Sequence, residues 1–195
     1  MSESFKFNDE NLAAAKQIIA RYPQGRQHSA VLPLLDLAQR QNDGHASDAV
    51  VDAIAAMIDM PRIRVMEVAT FYTMFHRKPV GKFHLQCCTT TPCWLRGSSE
   101  VVDAIRKHTG IDFGETTKDG LFSMIEVECL GGCVNAPIVQ INDDFYEDLD
   151  AASMVKILKA LQAGETPEPG PQIDRQTSAP AGGATTLKNI ALAKG

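Results

Sequence analysis

Along residues 8–76 apolar side chains recur at helical spacing. Leu12, Ala15, Ile19 and Tyr22 share one face of a first helix, which Asn8 or Asp9 can cap and which Pro23 and Gly25 end. Val31, Leu34, Leu35 and Ala38 form the stripe of a second helix. Ser29 is its expected cap, Pro33 falls in the first turn where a missing N–H costs little, and Asn42-Asp43-Gly44 closes it. Ser47 should cap a third helix with Val51, Ile54, Ala55 and Ile58 inward. Pro61 opens a fourth, expected to run through Val65, Val68, Ala69, Tyr72 and Phe75. Four short helices with brief turns make a small bundle.

The pattern changes at Pro79 and Gly81. From Lys82 to Cys88 the residues alternate, Phe83, Leu85 and Cys87 on one side and His84, Gln86 and Cys88 on the other, as in a half-buried strand. Adjacent Cys87 and Cys88 must then face opposite ways, and a Cys87 turned into the core would act as a small hydrophobe. Thr-Thr-Thr-Pro reads as a loop, followed by a helix over roughly Ser98 to His108 with Val101, Val102 and Ile105 inward. A helix starting near Cys93 would favour its thiolate. After a polar stretch, Phe122 to Glu128 predicts a second strand with Phe122, Met124, Ile125 and Val127 as its buried candidates. Ile138 to Ile141 predicts a third strand, and Asn142-Asp143-Asp144 a turn into a short strand at Phe145 and Tyr146. A last helix spans about Ala151 to Ala163, with Met154, Ile157, Leu158 and Leu161 inward.

From Gly164 the composition shifts. Four of the ten prolines and four of the fourteen glycines lie between Gly164 and Ala184, with too few apolar residues to build a core. This predicts an extended tail, disordered if left alone, with Leu187 to Ala193 as a segment that could dock on a partner. The chain is therefore read as α+β, in three parts: a helical bundle at 1–78, an α/β domain at 79–163 and an extended tail at 164–195.

Composition narrows the function classes. The 195 residues are 44% hydrophobic and 22% charged, ordinary for a globular protein, and the net charge of −5 disfavours bulk nucleic acid or an anionic membrane as partner. No run approaches the length of a membrane span, and the start MSESFKFNDENLA reads as neither a signal nor a transit peptide. A reducing compartment such as a bacterial cytoplasm is expected. Five cysteines are odd in number and sparse for a disulfide scaffold, which favours metal or redox chemistry.

Four of the cysteines form two pairs, Cys88-Thr-Thr-Thr-Pro-Cys93 and Cys129-Leu-Gly-Gly-Cys133, and the reading is one metal site that the fold must close. Neither pair has the Cys-x-x-Cys spacing of a thioredoxin-type dithiol. Structural zinc tolerates these spacings loosely, and a binuclear iron-sulfur cluster tolerates them too, so both stay open on the bare pattern. Gly131 and Gly132 would let peptide N–H groups approach the sulfurs and tune their charge. Trp94 reads either as a shield beside Cys93 or as core packing. Of the histidines, only His84 is near the first pair. No glycine-rich phosphate loop and no Ser/His or Cys/His arrangement marks a catalytic site. In the bundle, Asp59-Met60-Pro61 could join a helix-turn-helix, with Arg62, Arg64, Arg77 and Lys78 as phosphate contacts, which would make the chain a metal-sensing DNA-binding protein. A structural zinc protein is the other rival.

Three stretches go further: Glu67-Val-Ala-Thr-Phe-Tyr-Thr-Met-Phe75, Cys88-Thr-Thr-Thr-Pro-Cys-Trp-Leu-Arg-Gly97 and Glu128-Cys-Leu-Gly-Gly-Cys-Val-Asn-Ala-Pro137. With them the chain resembles the small 2Fe-2S (E) subunits of the NADH-dehydrogenase module of respiratory complex I, a family whose ferredoxin part has a thioredoxin-like fold. The tail motifs Pro169-Gly-Pro-Gln172, Arg175 and Pro180-Ala-Gly-Gly183 resemble the same family, with Ala179 where an acidic residue is common. The resemblance implies a thioredoxin-like domain at 79–163 and one 2Fe-2S cluster on Cys88, Cys93, Cys129 and Cys133, with Cys87 unassigned. It implies an electron carrier within NADH:ubiquinone oxidoreductase. FMN and NAD would be held by a partner flavoprotein subunit, and the chain itself would have no catalytic residue, no nucleic-acid partner and no direct membrane insertion. The expected location is cytoplasmic, peripheral to the bacterial inner membrane as part of the complex. Related subunits of NAD-linked formate dehydrogenases and hydrogenases are the alternative. In thioredoxin-like folds a proline before a strand can be cis, which leaves the isomer of Pro137 open.

Overall fold

The computed structural model describes residues 4–183 and Thr186, so the Leu187 to Ala193 segment lies outside the described residues. The chain divides between Val80 and Gly81 into two compact units.

The first unit holds α1 (Asp9–Ala20), a 3-10 turn (Gln27–Ala30), α2 (Val31–Gln41), α3 (Asp48–Met57) and α4 (Arg62–Phe71). Asn8 caps α1 by accepting from the Asn11 N–H, and Ser47 caps α3 by accepting from Val50. Leu34, Leu35, Val50, Val51, Ile54 and Val65 are fully buried in one core. Two expectations fail here. Ser29 does not cap α2, because the 3-10 turn runs helically through Ala30 and the Val31 N–H bonds to His28. The fourth helix stops at Phe71. The Thr70 hydroxyl donates to the Met66 and Glu67 carbonyls, Tyr72 turns extended, and the Gln39 side chain grips the following segment at both ends, donating to the Met74 carbonyl and accepting from the His76 N–H. Phe75 is still buried, by a non-helical path, but Tyr72 is 40% exposed.

The second unit carries β1 (Phe83–Cys88), α5 (Thr91–Leu95), α6 (Ser98–Thr109), β2 (Phe122–Val127), a 3-10 turn (Cys133–Asn135), β3 (Val139–Ile141), β4 (Asp144–Glu147), α7 (Ala151–Gln162) and β5 (Gly170–Pro171). The sheet order is β2-β1-β3-β4-β5. β1 runs parallel to β2 and antiparallel to β3, with Cys87 opposite both Glu126 and Val139. The alternation read in the sequence is realised: Leu85 and Cys87 join Met124, Val139, Ile141 and Tyr146 in a core covered by Val101 and Ile105 of α6 and Met154, Ile157 and Leu158 of α7. Asp150 and Ser153 close a capping box at the start of α7. Ile125 departs from expectation, being 37% exposed, because it falls on the opposite face of β2 from Met124. Gly81 is needed for contact, since a Cβ there would lie 2.5 Å from the Phe122 carbonyl carbon.

The described part of the tail is extended and docked on this unit. β5 pairs in parallel with β4, the Gln172 N–H donates to the Glu147 carbonyl, and Arg175 forms an ion pair with Asp148 at 3.0 Å. Among the described residues no helix is long and apolar enough to cross a membrane.

Candidate metal centre

Cys88 ends β1, Cys93 lies in α5, and Cys129 and Cys133 bracket the loop between β2 and the second 3-10 turn. Neighbouring parallel strands β1 and β2 therefore deliver one member of each pair at the same end of the sheet. Cys88 and Cys93 are buried with Ala136 and Leu130 in a small cluster separate from the main core, whereas Cys129 and Cys133 are exposed. All five cysteines are free, and Cys129 Sγ lies 3.4 Å from Cys133 Sγ. Cys87 belongs to the main core, where burial pushes its thiol up to about 12.

Hydrogen-bond donors converge on the four remaining sulfurs. Burial opposes ionisation of Cys88, but the Thr90 hydroxyl at 3.2 Å, the Leu130 N–H, the Cys93 thiol and the Thr90 N–H outweigh it and hold its pKa below the ordinary value. Cys93 goes the other way: burial first, then its hydrogen bond to Cys88, pushes it up to about 12, despite the Ile138 N–H. The expectation of a helix-stabilised Cys93 thiolate is thus overturned. Of Thr-Thr-Thr-Pro, Thr89 and Thr90 form the loop, but Thr91 and Pro92 open the short helix α5, which places Cys93 inside a helix and away from solvent, while α6 begins only at Ser98. Cys129 is lowered, first by the Gly131 N–H and then by Cys133, and Cys133 is raised, first by its bond to Cys129. As a pair they lose their first proton easily and hold the second. Gly131 has φ +87°, which glycine adopts without strain, so that its N–H can point back at Cys129.

The structure also places the other candidates. His84 is at the far end of β1, bonded through Nδ1 to Ser123 Oγ at 2.7 Å, and is not brought to the cysteines. Trp94 is 62% exposed, which removes the core-packing reading. Arg62 pairs with Asp48 and Asp52, Arg64 with Glu67, and Arg77 with Asp48. Three of the four supposed phosphate contacts are thus engaged by carboxylates of their own unit, which leaves the helix-turn-helix reading without a basic face. Among the described residues no three His, Cys, Asp or Glu side chains are grouped to hold a single metal ion. The residues that sequence reasoning missed are the donors Thr90, Leu130 and Ile138. Only the run of threonines between two cysteines could have hinted at one of them.

The sequence model of the thioredoxin-like 2Fe-2S ferredoxin family matches residues 15–162. The chain belongs to that family. Its sheet and helices are accordingly a thioredoxin-like ferredoxin domain preceded by helices, and the cis Ala136–Pro137 peptide stands just before β3. The sequence is 55% identical over 159 residues to the E subunit of the NADH-quinone oxidoreductase of Rickettsia bellii, covering 82% of this chain and 95% of that protein. It is 48% identical over 183 residues to NADH dehydrogenase (ubiquinone) flavoprotein 2, mitochondrial, of Dictyostelium discoideum, covering 94% of this chain and 74% of that one. Among solved structures, an NAD+-reducing NiFe-hydrogenase in the H2-reduced state superposes with a TM-score of 0.60 at 20% identity, over 69% of this chain and 23% of that chain, a likeness of fold.

A ferredoxin of this family carries a 2Fe-2S cluster, and the donor set suits one. Four free cysteine sulfurs, arranged as two pairs and approached by peptide N–H groups, are what two adjacent irons require.

Proposed function

We propose that this chain is the 2Fe-2S electron-carrier subunit of an NADH:quinone oxidoreductase, with Cys88, Cys93, Cys129 and Cys133 as the cluster ligands. The observation that carries the ligand set is that neighbouring strand ends bring two free cysteine pairs to one end of the sheet, with the Leu130 N–H from the loop of the second pair donating to Cys88 of the first, while the fifth cysteine is buried elsewhere. When bound, the cluster takes up and gives back one electron. The chain's own residues do the rest. Cys88 and Cys93 form the buried side of the site, Cys129 and Cys133 its open side, and the N–H groups of Leu130, Gly131 and Ile138 steady negative charge on sulfur.

The identity of the complex rests on the relatives named for NADH-quinone oxidoreductase, which match nearly their whole length. The hydrogenase likeness is one of fold and does not favour the alternative. The partner is a flavoprotein subunit that binds FMN and NADH. Trp94 and Leu95, which follow Cys93, and Val134, which follows Cys133, are apolar yet 62, 70 and 71% exposed, as suits contact with a protein surface. In a bacterial cell the chain then lies on the cytoplasmic side of the inner membrane as a peripheral part of the complex.

Anaerobic purification with iron, sulfide and zinc counts, followed by electron paramagnetic resonance before and after dithionite, tests the reading. The expected result is equal iron and sulfide, a silent oxidised form and a paramagnetic reduced one. Stoichiometric zinc without sulfide in folded protein would overturn it.

A further inference from the structure

Three consecutive threonines separate Cys88 from Pro92, and they do three different things. Thr89 donates its hydroxyl to Glu126 across the β1–β2 pair, and Thr91 is exposed. Thr90 stands at the N-cap of α5 with the extended backbone of a cap residue, φ −67° and ψ 166°, yet its side chain makes no capping bond. A threonine there ordinarily accepts from the helix N–H groups, a contact worth about 1 kcal/mol. Its hydroxyl is turned instead to Cys88 Sγ at 3.2 Å. The hydroxyl that would ordinarily cap α5 is thus given to a cysteine sulfur.

We infer that Thr90 is a positioning and tuning residue of the cluster, its hydroxyl donating to the sulfur of Cys88 and favouring the reduced state. This rests on the ligand assignment proposed above. A cysteine bound to iron has lost its proton, so the hydroxyl is then the donor and sulfur the acceptor. One electron entering the cluster makes it more negative by one charge, with no bond made or broken and no proton moved. The donor gains more from the reduced form than from the oxidised one. Removing it therefore moves the midpoint potential in the negative direction. A peptide N–H donor can be deleted only by proline, which also constrains the backbone, so Thr90 is the accessible handle on the hydrogen bonds of this site.

The test compares full-length wild type with Thr90→Ser, which keeps the hydroxyl, and Thr90→Val, which keeps the shape and loses it. Iron and sulfide are counted in each, and the potential is measured by dithionite titration followed by electron paramagnetic resonance. The expected outcome is a full cluster in all three, a serine variant close to wild type and a valine variant at more negative potential with altered g-values. Equal potentials for wild type and valine, or a serine variant shifted as far as valine, would overturn the proposal. If valine fails to load, Thr90→Ala carries the comparison without the bulk. Failure of both, with normal loading by serine, would also support a required hydroxyl, and failure of all three variants, serine included, would overturn it. A wild-type chain without iron would sink the ligand assignment itself, an outcome distinct from any of these.

Discussion

Arg175 of the tail donates to both carboxylate oxygens of Asp148, at 3.0 and 3.2 Å, with the side chains only 7 and 4% exposed. The same guanidinium donates to the Ala179 carbonyl and reaches the Val134 carbonyl at 3.5 Å, and Asn135 donates its amide to the Thr177 carbonyl. The tail is thereby tied to the segment that follows Cys133. Replacing one partner of a closed ion pair strands the other charge, so Arg175→Met should cost about 3–5 kcal/mol. Urea denaturation measures it. The double variant Arg175→Met with Asp148→Leu should recover most of that loss, and unchanged stability in the single variant would mean that the tail is not held by this pair.

Cysteine replacements should separate sharply. Cys88→Ser, like a change at Cys93, Cys129 or Cys133, should abolish the reduced-state paramagnetic signal. Cys87→Ala should retain it and lose about 1 kcal/mol of stability, the scale of deleting one small buried group. A Cys87→Ala chain that cannot bind iron would contradict the ligand set.

Gly81→Ala should destabilise the second unit by about 1–3 kcal/mol through overpacking, since the new Cβ would meet backbone atoms of Phe122 and Ser123 at 2.5 and 2.6 Å. Thermal unfolding of the variant against wild type gives the value.

His76 follows the end of α4, and burial lowers its pKa from the ordinary 6.5. The unfolded chain then binds a proton more readily than the folded one. This contribution to stability is complete above pH 6.5, is lost progressively as pH falls below it, and levels off once the folded imidazole also protonates. His76→Gln should flatten the dependence of the denaturation midpoint between pH 7 and 5. A slope unchanged by the substitution would assign it to other groups.

Much of this was legible in the residues themselves. The alternation of Phe83 to Cys88 foretold that Cys87 and Cys88 part company, and Asn8 and Ser47 cap the helices they precede. Both follow from local rules of period and capping. What escaped were features set by partners distant in sequence. Tyr72 leaves the fourth helix where Gln39 holds Met74 and His76, and burial that no local pattern reports raises the pKa of the Cys93 thiol. The donors to the sulfurs are mostly peptide groups, invisible to any reading of side chains, and the order within the tail depends on Asp148, outside the tail.

Cys87 and Cys88 are adjacent on a strand hydrogen-bonded along both edges, to β2 in parallel and to β3 antiparallel. A slip of one residue against either neighbour would exchange the faces of the two thiols, putting a ligand into the core and a bystander at the site. With Cys88 as the proposed ligand, the register of the sheet selects which sulfur would be offered to iron. A chain with β1 misaligned would still hold four cysteines at the site, with Cys87 in place of Cys88, so cysteine spacing alone leaves open which of two adjacent thiols is used and the strand pairing decides it.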